Sequence, residues 1–335
     1  MPTNTYEQSL RVDGVRQQEL NIIDPTYPDI SETVGGVPPI NRYVLGDDFR
    51  LPRSNRVSLG IDQRLARLVN TTATYSYIRG AALARGLNLN APVDSARPNP
   101  LFGNIVEVVS DANSRLHQLQ LNLTANPGAL LPAFNAPRIR WSRATVFFNY
   151  TLAKLESNTE GAFAIAPTGR LVDDWGPPAE DVRHRMNVQM NNQIVRNLFL
   201  GFNLTATSGT PYTIRTGFDD NGDLVFNDRP AGVGRNTERA AAQWTINMFG
   251  GYAIALGRPV SGPPGVTAIA GGGVATVQNF EQPPRYVVMF FVEARNLTNH
   301  PNYVGYSGVL TSPFFGRATT VTGTRKIDAG INFQF

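Results

Sequence analysis

Apolar and polar side chains alternate along much of the chain. In the last ten residues, KIDAGINFQF, Ile327, Ala329, Ile331, Phe333 and Phe335 fall on one side of an extended backbone. Lys326, Asp328, Gly330, Asn332 and Gln334 fall on the other. A repeat of two marks a strand rather than a helix. The repeat recurs upstream. Leu119, Leu121 and Leu123 alternate with Gln118, Gln120 and Asn122, and Val146, Phe148, Tyr150 and Leu152 with Asn149 and Thr151. Met186, Val188 and Met190 alternate with Asn187, Gln189 and Asn191, and Leu198, Leu200, Phe202 and Leu204 with Asn203 and Thr205. Val288, Phe290, Val292 and Ala294 stand against Glu293 and Arg295. The pattern predicts ten strands, near 3–12, 54–66, 69–80, 113–124, 141–154, 182–193, 196–208, 242–254, 285–296 and 324–335. Several exceed the ~5–6 residues of an ordinary globular strand and reach the ~9–11 that a tilted strand needs to cross a bilayer.

The polar partners are mostly Asn, Gln and Thr, whereas a face turned to bulk water would carry more Lys and Glu. An uncharged polar face suits the inside of a barrel with lipid on its other side. The connections are uneven. Long ones are expected at 13–53, 81–112, 155–181, 209–241 and 297–323, and minimal ones near 67–68 and 194–195, while 125–140 and 255–284 are intermediate. Long and short ends broadly alternate, as they do when one rim of a barrel faces outside and the other the periplasm. Lipid offers no hydrogen bonds, so such strands must all pair and the sheet must close.

Composition narrows the picture. Only 41% of the 335 residues are hydrophobic, and no run approaches the ~20 apolar residues of a spanning helix. The net charge is +4 without a basic cluster interleaved with aromatics, which argues against a nucleic-acid partner. With no Cys there is no disulfide or thiol chemistry. The start, MPTNTYEQSLRVDG, lacks the basic and apolar blocks of a signal peptide. His117, His184 and His300 are scattered, and no HExxH, G-x-S-x-G or P-loop motif occurs, so an enzyme is not expected.

Several blocks occur in an order that resembles a known family. They include NTYEQSLRVDGVRQQELNIIDPTYPD, SNRVSLGIDQRL, TTATYSYIRGAALARGLNLNAP, RPNPLFGNIVEVVSDANSRLHQLQLNLT, EDVRHRMNVQ, SGTPYTIRTGFDDNGDLVFNDRPAGVGRN and FFVEARNLTNHPNY. The sequence is similar to the C-terminal barrel portion of TonB-dependent outer-membrane receptors, in particular the Oar-like group with a carboxypeptidase-regulatory-like N-terminal domain. The resemblance implies an all-β, antiparallel transmembrane β-barrel of about twenty-two strands with a plug inside, of which this chain would be roughly the last ten. It also implies a place in the outer membrane, contact with its lipid and lipopolysaccharide, and energy-coupled uptake of a nutrient or protein substrate through TonB. The plug that would meet TonB is expected to lie outside this chain. Phe335, Phe333 and Ile331 match the terminal signal read by the barrel assembly machinery.

Local motifs supply candidate sites. DDNGDLVFND places Asp219, Asn221, Asp223 and Asp228 in one loop around Gly222. Hard oxygens at that density suit Ca²⁺, although the loop departs from the EF-hand pattern at Leu224 and Pro230. An Asx-rich surface turn accounts for the same residues. Arg183 and Arg185, with Asp181, and Glu293 with Arg295 are candidates to meet substrate in the lumen or to pair there. Trp141, Trp244, Tyr75, Tyr77, Tyr150 and Tyr286 are candidates for an interface belt. Two other functions fit the strand pattern: an adhesive or structural outer-membrane barrel without transport, and a secreted β-sandwich carbohydrate-binding module.

Overall fold

The computed structural model describes residues 5–11, 17–23, 40–66, 69–130, 141–195, 197–259, 266–270, 273–277 and 284–334. Its frame is an antiparallel meander: β1 (Arg53–Ala66), β2 (Val69–Asn88), β3 (Phe102–Ala125), β4 (Ala144–Ser157), β5 (His184–Val195), β6 (Leu198–Thr207), β7 (Gln243–Pro259), β8 (Pro284–Arg295) and β9 (Lys326–Gln334). Each strand pairs with the next in the chain, and among the described residues β1 and β9 do not pair with each other. Ile40–Leu45 runs parallel to the upper part of β3, at Phe102–Val108, beyond the point where β4 has ended. Thr5–Arg11 and Gln17–Ile23 form a hairpin joined to it.

The register aligns like with like. Leu123 lies opposite Phe148, Phe148 opposite Val188, Val188 opposite Leu204 and Leu204 opposite Ile246. One residue along, Thr72, Asn122, Asn149, Asn187, Thr205 and Thr245 form an equally continuous polar row. Because the side-chain period is two, a slip of one residue in any pair would mix the two rows. The apolar face is uncovered: Leu59 is 72% exposed, Ile331 67% and Phe333 56%. A patch of this extent has no counterpart on ordinary soluble monomers, where apolar patches stop at a few hundred Å². Among the described residues the buried hydrophobic cluster, by contrast, holds Phe199, Ala253, Val287 and Met289, with Phe249 packed against it. Among the described residues there is therefore no dry interior of the kind a β-sandwich would have, and the strand alternation faces outward onto lipid.

The margins of the apolar face fit an interface. At one, Tyr75 and Tyr150 hydroxyls meet His117 and His184 Nδ1 at 2.8 and 2.7 Å, and Trp244 stacks on His300 at 4.2 Å. Just beyond, Glu156 takes Arg115 at 2.7 Å and Lys154 at 3.0 Å. At the other margin Tyr286 stacks on Phe333. Aromatic rings with a polar handle belong at such boundaries.

On the opposite face, large rings lie over glycines. A Cβ at Gly201 would fall inside the Phe249 ring, and one at Gly251 would sit 2.5 Å from the Phe199 ring. The missing side chains let the sheet curve and the rings cover bare backbone. Gly201→Val is expected to displace Phe249 and cost about 1–3 kcal/mol, measured as a lowered urea midpoint. An unchanged midpoint would show that the ring has room to move.

Each of the ten expected strands has a counterpart, with corrected ends. The segment expected as a loop at 81–112 is largely strand, since β2 runs on to Asn88 and β3 starts at Phe102. Register shifts between Gly80 and Arg85, with Ala82 at φ +55°, break the period of two there and hid the continuation. The segment 13–53 contains Gln17–Ile23 and Ile40–Leu45, 209–241 a two-residue pairing of Pro211–Tyr212 with Glu238–Arg239, and 297–323 the hairpin Asn302–Tyr306 with Ala318–Thr322. These pieces are too short for alternation to register. The segment 155–181 opens with the last residues of β4, which ends at Ser157.

Candidate functional site: a cavity among the long loops

The meander sends its four longest described connections, 89–101, 158–183, 208–242 and 296–325, to one end. There they bind one another. Asn236, at φ +53°, is the main junction. Its Oδ1 accepts from Thr213 Oγ1 at 2.7 Å, and its Nδ2 donates to Glu160 Oε1 and the Pro177 carbonyl at 2.8 Å each. Asn227 and Asn221 donate to the carbonyls of Ile165 and Pro167 at 2.8 and 2.9 Å. Arg97 donates to the Gly222 carbonyl at 2.9 Å. The fourth loop joins by backbone pairing: Arg215 N donates to Gly308 O at 2.9 Å, and Leu310 N to Arg215 O at 3.0 Å. A Cβ at Gly308 would run into the Thr213 carbonyl, so only glycine allows this approach.

Between these loops and the upper part of β3 lies a cavity of about 1100 Å³. Its wall carries aromatic rings from Tyr43, Phe163, Phe226 and Phe314, and guanidiniums from Arg215, Arg229 and Arg235. Arg229 pairs with Asp174 at 3.0 Å, and Arg235 lies 3.2 Å from Glu160. Arg235 is 5% exposed, donates to the Ser157 and Gly176 carbonyls, and is held below the usual arginine range by burial. A smaller cavity of about 710 Å³ lies beside β1–β3 near Arg53, Arg79 and Asp111.

The oxygens of the 219–228 loop turn onto its own backbone. Asp219 accepts from Asp223 N and Leu224 N at 3.0 Å each, Asn221 from Asp223 N at 2.9 Å, Asp223 from Val225 N at 2.7 Å and Asp228 from Asp220 N at 2.9 Å. This is the geometry of nested Asx turns. Among the described residues no group of three or more His, Cys, Asp or Glu side chains converges as a cation would need. Backbone amides already engage these side-chain oxygens, and no step is assigned to a metal.

Burial raises the Asp223 carboxyl above the usual range, with Asp219 and Asp228 adding repulsion. Burial likewise raises Asp228, beside Asp219 and Asp220. The folded loop therefore holds protons more tightly than the open one. Its stability is full below the ordinary carboxylate range and falls as pH rises through the raised values. Hydrogen exchange at 219–228, corrected for intrinsic rates, should slow on acidification, and Asp223→Asn should flatten that dependence. A pH-independent opening equilibrium in the unaltered chain would contradict it.

The other expected site residues pair locally and do not converge on one site. Asp181, 1% exposed, takes Arg239 and Arg183, the latter at 3.6 Å, and accepts from Leu155 N at 2.9 Å. Arg185 stands on the polar face opposite Thr207. Glu293 and Arg295 pair at 2.8 Å on β8, where Asp328 and Lys326 face them and pair in turn at 3.2 Å. Two like-charged cross-strand neighbours are thus each relieved along the strand. Ile331 and Phe333 lie on the apolar face of β9; Phe335 lies outside the described residues. The cavity residues Arg215, Arg229 and Arg235 escaped the sequence reading, although four arginines and two phenylalanines within one loop beyond the wall were a usable signal.

Comparison with known proteins agrees with this architecture. The model of the outer membrane beta barrel domain matches residues 2–328. No curated protein sequence matches. Among solved structures, the outer membrane transporter YddB from Escherichia coli is similar at 12% identity and a TM-score of 0.53, over 87% of this chain and 34% of that one. The FrpB iron transporter (F3-3 variant) from Neisseria meningitidis matches at 10% identity over 87% of this chain and 32% of its own, with a TM-score of 0.44. BauA, the ferric preacinetobactin receptor of Acinetobacter baumannii, matches at 12% identity over 99% and 36%, also with a TM-score of 0.44. The chain spans about a third of the length of these structures. With its uncovered apolar face and its loops gathered at one end, the chain belongs to the outer membrane beta barrel domain family and resides in the outer membrane.

Proposed function

We propose that the chain supplies the C-terminal part of the wall, and part of the ligand-capturing loops, of a TonB-dependent receptor of the Oar-like group. The carrying observation is the pairing of a lipid-facing meander with a loop-built cavity at one end. The wall is passive in this reading. It holds the loops at fixed spacing, presents uncharged polar rows to the passage, and leaves energy coupling to a plug and TonB contact encoded outside these residues. Ile331, Phe333 and Phe335 serve assembly, offering the terminal apolar edge to the insertion machinery. Similarity to an outer membrane transporter supports the reading at the level of fold.

The test is made with the whole receptor in cells. Surface-bound ligand should enter only when TonB and the proton gradient are intact, and deleting loop 208–242 should abolish binding and uptake together. Uptake that persists without TonB would overturn the coupling. Binding without any uptake would favour an adhesive barrel.

A further inference from the structure

The loop cavity carries polar groups that its own residues leave unserved. Arg235 is nearly fully buried in its wall with Nη1 beside Glu160, yet its Nε has no hydrogen-bond partner. Asn227, anchored through Nδ2 to Ile165, has its Oδ1 buried and unbonded in the same wall. Buried donors and acceptors are nearly always satisfied in folded proteins, so the unserved Nε and Oδ1 in this wall indicate a missing partner. The side chain of Arg215, at the exposed end, has no partner among the described residues. Three guanidiniums face the cavity against the two carboxylates of Glu160 and Asp174, leaving one positive charge in excess. The rest of the wall is aromatic: Phe163 is 65% exposed, Phe314 52% and Phe226 44%.

We propose that this cavity binds a small amphiphilic organic anion, with a single carboxylate held by Arg215 and an apolar or aromatic body lying on Phe163, Phe226 and Phe314. The proposal rests on the reading of the cavity as the receptor's ligand site and adds the ligand's chemistry. A guanidinium fork recognises a carboxylate through two parallel hydrogen bonds, and aromatic rings exposed to water gain from covering by an apolar body. A second negative charge on the ligand would lack a counter-charge, because Arg229 and Arg235 already face Asp174 and Glu160. A neutral ligand would leave Arg215 unpaired.

The full chain in detergent micelles is titrated by saturation-transfer NMR, against protein-free micelle blanks, with 2-naphthoate, 2-naphthylmethanol, acetate and naphthalene-2,6-dicarboxylate. Expected is saturable binding of 2-naphthoate about tenfold tighter than its alcohol, with acetate and the dicarboxylate weaker. Arg215→Ala should abolish the preference for acid over alcohol. Phe226→Ala should weaken acid and alcohol alike. Circular dichroism confirms that each variant keeps its strands. Equal affinity for acid and alcohol, a preference that survives Arg215→Ala, acetate binding as tightly as naphthoate, or no saturable binding would each overturn the proposal. Failure here leaves TonB-dependent uptake untouched, whereas naphthoate binding by a receptor that imports nothing would sink the transport reading alone.

Discussion

Leu121→Arg is expected to prevent stable insertion, at a cost of about 2–4 kcal/mol. Leu121 sits on the apolar face, between Ala73 on β2 and Tyr150 on β4. An arginine there must reach past the Tyr and His side chains at the margin to find water. Its neighbour Gln120 lies between Thr74 and Thr151 on the polar face, so Gln120→Arg should cost little. The two variants differ in position by one residue and add the same side chain, so only the facing of the strand separates them. Urea titration in lipid vesicles measures both. Equal losses at the two positions would show that neither face meets hydrocarbon.

Asp181→Ala is expected to loosen the loop end by about 2–3 kcal/mol while leaving the wall intact. The carboxylate lies at the foot of loop 158–183 and holds Arg239 of loop 208–242, Arg183, and the amide of Leu155 on β4. Its removal leaves a buried amide without an acceptor and two guanidiniums without their counter-charge. Arg239 and Arg183 remain about one-third exposed and regain water, which keeps the cost below that of a fully buried pair. Hydrogen exchange should rise in 158–183 and 208–242 and stay unchanged in β5 and β6. A uniform rise over the whole sheet would mean that Asp181 supports the wall itself.

The wall was legible because its rule is local. Leu119, Leu121 and Leu123 against Gln118, Gln120 and Asn122 declare a strand and its two faces without reference to any other segment. Reading failed first where β2 and β3 continue past Gly80, since bulges cancel the alternation just where Glu107 and Asp111 interrupt the apolar run. It failed more fully in the loops. Asn236 meets Glu160 across 76 positions, Asn302 accepts from Trp244 N across 58 and Arg97 reaches Gly222 across 125. An asparagine in a Gly/Pro-rich stretch looks the same whether it ends in water or at the centre of a junction. The 219–228 motif was visible, but whether its oxygens face a cation or the backbone depends on φ at Gly222 and Leu224, both positive here.

The hairpin of β2 and β3 is far taller than the rest of the wall. At about 3.3 Å per residue, the 24 residues of β3 extend roughly 80 Å along the strand. Inclined by about 40°, they rise some 60 Å, against an apolar band of about 25 Å. More than half of this post therefore stands clear of the apolar band. Its turn at Asp94 and Ser95, both at positive φ and closed by Val93 and Ala96, is exposed to an antibody or a phage tail fibre.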